Sequence, residues 1–153
     1  MSTRALSPVF GVVCLLAVTI ALAVAVGAGA TTYTTMPSTV STAAFDLSAD
    51  STGEVRIVHR GGDTIDPTAL ELRVHVGGKP LEQQPPVPFF SARGFGSGPT
   101  GAFNSATSQQ WRAGETASFQ IAETNDPMPH AGDTVSVELF ADGRRIANLE
   151  TTV

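Results

Sequence analysis

The chain has 153 residues, 15 per cent of them charged, and a formal net charge of −5 at pH 7. Its nine basic residues are scattered among fourteen acidic ones, which leaves no cluster suited to a phosphate backbone and argues against nucleic acid as a partner. Cys14 is the single cysteine, so an intrachain disulfide and a thiolate metal cluster are both excluded.

The first element is an apolar run. Val9 to Ala30 is 22 residues without a charge, and at about 1.5 Å per residue a helix of that length extends roughly 33 Å, enough to cross a bilayer. A secretory signal carries an apolar core of only ~7–15 residues, so the length predicts a retained transmembrane helix. Ala28-Gly29-Ala30 fits the small-x-small rule of signal peptidase, which keeps a cleaved signal as the alternative. Cys14 lies near the start of the run, not at its end where a lipoprotein cysteine would stand. Ala17, Ala21, Ala25 and Gly29 recur every four residues and form a small-residue stripe on which neighbouring helices can approach closely. Arg4 precedes the run and no charge follows it until Asp46. The positive-inside rule therefore puts the N-terminus in the cytoplasm and residues 31–153 outside.

The residues Arg4-Ala5-Leu6-Ser7-Pro8-Val9-Phe10-Gly11 resemble the N-terminus of archaeal type IV pilins, the halophile group in particular. Precursors of that family read basic, small, apolar, Ser-Pro, then a long apolar helix. The resemblance implies cutting by a prepilin peptidase between Ala5 and Leu6, on the cytoplasmic side. The processing motif is then Arg4, Ala5, Leu6, Ser7, Pro8 and Gly11. Residues 1–5 are the leader, and 6–30 are a helix that anchors in the membrane and later bundles with other pilin subunits in a filament core. Phe10 stands at the fifth mature position, where bacterial pilins usually carry glutamate; the archaeal group commonly does without that acid.

Residues 31–42, TTYTTMPSTVST, hold eight serines and threonines in twelve positions. That composition suits a solvated stalk, or its latter half leads into the first strand.

From Ala43 onward the pattern is β. Phe45 and Leu47 alternate with Asp46 and Ser48; GEVRIVHR (53–60) and ALELRVHVG (69–77) are rich in branched residues and end at the glycine pairs 61–62 and 77–78, which signal turns. TASFQIAET (116–124) alternates again. Near the C-terminus Val135, Val137 and Leu139 share a face, and Asp142-Gly143 predicts a tight hairpin returning through Ile146. Six or seven short strands without a further amphipathic helix predict a small all-β sandwich over 43–153.

Between Lys79 and Arg112 the periodicity fails. The stretch 82–111 is rich in proline, glycine and phenylalanine, and two readings stand: Phe89, Phe90, Phe95, Phe103 and Trp111 close an open end of the sandwich, or they form a contact surface. Gly94-x-Gly96-x-Gly98 follows no strand and opens no helix, so it is not a phosphate loop. His59, His75 and His130 lack metal-ligand spacing. Asp63, Asp66, Asp126 and Asp133 sit in turn-like settings where carboxylates cap amides. No nucleophile elbow occurs. The sequence thus predicts neither an enzyme nor a cofactor. Two functions stand: a pilin-type filament subunit, or an anchored extracellular β module that stays monomeric.

Overall fold

The computed structural model describes residues 6–30, 42–107 and 109–153. They fall in two compact units, 1–39 and 40–153.

The described residues of the first unit form one helix, α1, Leu6–Ala30, 25 residues with no acidic residue in its first turn and no basic one in its last. Pro8 is tolerated because the first-turn N–H groups have no intrahelical acceptor to lose. Thr19, the one hydroxyl among its described side chains, donates to the Leu16 carbonyl at 2.9 Å, so the helix satisfies its own polar group.

The second unit contains seven strands: β1 Ala43–Ala49, β2 Glu54–Gly62, β3 Leu70–Val76, β4 Lys79–Pro80, β5 Thr116–Gln120, β6 Thr134–Ala141 and β7 Arg144–Thr152. They form two antiparallel sheets, ordered β1-β2-β5 and β4-β3-β6-β7. The alternation read from the sequence is the burial pattern: Val55, Ile57 and His59 face in from β2, Leu72 and Val74 from β3, and Val135, Val137 and Leu139 from β6. Both sheets feed one core, so the unit is a sandwich. Edge strands β1 and β7, one from each sheet, lie beside each other without a shared ladder.

The stretch 82–111 belongs to that core. Phe89, Phe95, Phe103 and Trp111 are all buried, and Phe103 and Trp111 pack edge to face with centroids 5.2 Å apart. Phe90 is the exception, 61 per cent exposed. The stretch also covers sheet edges that would otherwise offer unpaired backbone to another chain. Gly96 and Thr100 donate their N–H groups to the Gln120 and Ser118 carbonyls of β5, each at 2.8 Å. On β3, the Gln84 side chain plays the part of a strand: its Oε1 accepts the Val74 N–H at 2.7 Å and its Nε2 donates to the Val74 carbonyl at 3.0 Å.

One expected turn is misplaced. Gly61 and Gly62 do not end β2 but continue it, pairing with Ala44 and Ala43 of β1. The pairing of β1 shifts by one residue between Ala44 and Phe45, and the chain leaves the sheet only at Asp63. The other turns stand as read. Gly77 and Gly78 connect β3 to β4, both at positive φ. Asp142 and Gly143, at φ of 50° and 74°, make the primed turn whose twist suits a two-residue hairpin.

Candidate functional site

The candidate site with the strongest sequence signal is α1. Its described side chains, those of residues 8–24, are all exposed, Phe10 at 71 per cent and Leu15 at 69 per cent. Burying one such side chain contributes about 1.5–3 kcal/mol, so this exposed apolar surface is the part of the chain with the most to gain from being covered. Ala17 and Ala21 lie on this exposed surface. No atom lies within 4 Å of where a Cβ on Gly11 would stand, the helix's own backbone aside. Of the processing motif, Leu6, Ser7, Pro8 and Gly11 are in the helix, while Arg4 and Ala5 lie outside the described residues. The side chain of Ala25 and the stalk residues 31–41 lie outside them too. Among the described residues no helix is long and apolar enough to cross a membrane.

On the β unit the histidines occupy three different environments. His130 is exposed beside Asp133, with 3.5 Å between Nδ1 and the carboxylate. His75 is half-buried on β3. His59 is fully buried, and neither ring nitrogen has a hydrogen-bond partner. Among the described residues no three His, Cys, Asp or Glu side chains come together as a metal site would require.

Asp50, Asp63, Asp66 and Asp133 are structural caps, whereas Asp126, expected to be one, uses its backbone N–H toward Asn125 and caps no amide with its carboxylate among the described residues. Asp66 accepts the Thr68 N–H at 2.8 Å at the start of a 3-10 turn, Pro67–Ala69. The Thr68 hydroxyl, the largest influence, holds that carboxyl below its ordinary 3.8. Asp50 does the same for the β1–β2 turn: the Thr52 hydroxyl at 2.5 Å is the main cause of its lowered value, with the Glu54 and Thr52 amides adding to it. Asp133 accepts the His130 N–H at 2.9 Å. Asp63 accepts the N–H of Thr42 at 3.1 Å. Each donor is a backbone amide in a turn or a neighbouring hydroxyl, so these carboxylates are already occupied with holding the chain.

Sequence reading missed two polar residues, Asn125 and Gln84, and gave His59 no place in the core. Asn125 is buried and binds four backbone groups: it accepts from the Gln83 and Asp126 amides and donates to the Gln83 and Gly94 carbonyls. Gln84 is the β3 edge clamp. His59 was within reach of the pattern, since it continues the inward alternation of Val55 and Ile57; nothing local marks the other two.

No family model matches the chain, and no curated protein matches it.

Proposed function

We propose that the chain is a structural subunit of an archaeal type IV pilus, major or minor. In this reading α1 bundles with the helices of other subunits, and the β sandwich is displayed outside for surface adhesion. The observation that carries the reading is α1 itself: 25 residues, apolar on every described face and uncovered, its first turns overlapping the Arg4–Gly11 motif that resembles a prepilin site. The sandwich supports it from the other side. The β5 edge and the β3 edge at Val74 are covered, and the edges β1 and β7 lie beside each other, so less of the sandwich is open to strand-to-strand polymerisation and the reading gives assembly to the helix. The chain inserts in the membrane through α1, is cut by prepilin peptidase between Ala5 and Leu6, and passes from membrane to filament. No residue on the sandwich is assigned a catalytic role, and no cofactor is assigned.

A second reading is a single-pass anchored module that binds a partner without polymerising; the exposed ring of Phe90 is the observation in its favour. The deciding experiment is the intact mass of the mature protein from the cell envelope. A chain beginning at Leu6 is expected. One beginning at Thr31 would mean an ordinary signal peptide and end the pilin reading, and an uncut chain would favour the anchored module.

A further inference from the structure

The point where the chain joins the sandwich is fastened by a reciprocal pair of hydrogen bonds. Thr42 donates its N–H to Asp63 Oδ2 at 3.1 Å, and its carbonyl accepts the Asp63 N–H at 3.0 Å. Gly62 makes this possible. At its φ of +102°, a Cβ would come within 2.0 Å of the Thr42 oxygen and 2.8 Å of the Ala43 Cα, so any side chain there pushes Thr42 away from Asp63.

From this clasp β1 runs along β2 from Ala43, paired with Gly62, to Ala49, paired with Val55. It is an edge strand, with ladder bonds to β2 alone. The far end of β1 is the turn at Gly53, where an added Cβ would lie 3.2 Å from Met128. Tension applied between Thr42 and that far end therefore pulls along the axis of β1. The bonds of an antiparallel ladder lie across that axis, so they are loaded together in shear, and among the described residues the Thr42–Asp63 pair meets the load first.

We propose that the Thr42–Asp63 clasp, seated on Gly62, is a mechanical latch that sets how readily β1 is drawn out of the sandwich when the domain is pulled through its N-terminal tether. The biological use of the latch rests on the reading that α1 holds the domain in a filament; its mechanics do not. A charge-assisted bond at the first loaded residue is expected to slow forced unfolding by about tenfold or more.

The test is single-molecule unfolding of the full chain in detergent at constant force. One handle is attached at Cys14 in α1 and the other at the thiol introduced by His130→Cys, whose parent side chain is 80 per cent exposed. Asp63→Ala should unfold about tenfold faster, and Asp63→Asn, which keeps an acceptor oxygen, should recover most of the loss. Pulled instead from the C-terminus against the same handle, the load enters β7, and parent and variant should unfold at the same rate. Equal rates in the first geometry overturn the latch. Equal acceleration in both geometries also overturns it, because the clasp is then an ordinary structural brace. Because single molecules are pulled, a failure here leaves the filament reading untouched, and the mature mass tests that reading separately.

Discussion

His59 lies stacked on Phe45, ring centroids 5.0 Å apart and planes 24° from parallel, with neither nitrogen hydrogen-bonded. Trp111 completes the cluster at 5.6 Å from His59, but its own Nε1 donates to the Glu115 carbonyl at 3.2 Å. Only the imidazole is left unpaired, and a buried polar group without a partner costs about 1–3 kcal/mol. His59→Phe keeps a ring in the stack and removes the unpaired nitrogens. The substitution should stabilise the domain by about 1 kcal/mol, read as a higher denaturant midpoint at an unchanged slope. A lower midpoint would mean that the imidazole has a partner.

Asn125 is the opposite case, a buried polar side chain with its groups used. Asn125→Ala leaves the Gln83 and Asp126 amides and the Gln83 carbonyl without this partner, while the Gly94 carbonyl keeps the Ala122 N–H at 3.0 Å. That should cost about 2–4 kcal/mol and release the amides of residues 83 and 126 to faster exchange. A loss under about 0.5 kcal/mol would show that water replaces the side chain without penalty.

Two phenylalanines of the same stretch should behave differently. Phe103 is fully buried and touches both Trp111 and Phe119, so Phe103→Ala is expected to cost about 3–5 kcal/mol. Phe90→Ser should lie within about 0.5 kcal/mol of the parent, as exposed positions do. Thermal or denaturant unfolding of the two variants side by side checks the contrast, and a large loss at Phe90 would place that ring in the core.

The hairpin prediction rests on backbone geometry. Gly143 at φ 74° follows Asp142 at φ 50°, and a β-branched side chain is a poor occupant of that region. Gly143→Val should destabilise by about 1 kcal/mol or more. Ala141 pairs with Arg144 across the turn, so the loss should appear first as faster exchange at that end of β6 and β7. An unchanged midpoint would show that the turn rearranges freely.

These positions differ in how far the sequence announces them. Strand alternation, the Asp142-Gly143 turn and the long uncharged helix are local patterns with periods of two residues, a dipeptide, and a run, and all three are in the fold. Gly61-Gly62 misled because glycine marks either a turn or a close approach; here it is the approach of Thr42, 20 residues upstream of Gly62, that needs the missing side chain. The division of strands between two sheets, and the burial of Phe89, Phe95 and Phe103, depend on contacts distant in sequence. Gln84 and Asn125 are ordinary surface types by composition, and only the backbone that each meets, Val74 in one case and Gln83 and Gly94 in the other, makes them structural. For the candidate site, α1 was legible from composition, while Arg4, Ala5 and the stalk 31–41 lie outside the described residues.

Assembly is the last prediction, and it concerns the helix alone. When an apolar stem leaves lipid to lie among copies of itself, apolar surface is covered in both environments, so burial contributes little to the difference. Close packing must then decide, and it favours small residues that let backbones approach. Ala17, Ala21, Ala25 and Gly29 supply such a stripe. Ala21→Leu with Ala25→Leu removes it while leaving insertion intact, because leucine is at least as apolar as alanine. The double variant should remain in the membrane fraction and disappear from the sheared extracellular fraction, whereas the parent should be found in both. Shedding of the double variant at the level of the parent would show that the stripe is incidental to assembly. A parent that never leaves the membrane, with its partner subunits present, would instead support the monomeric anchored module.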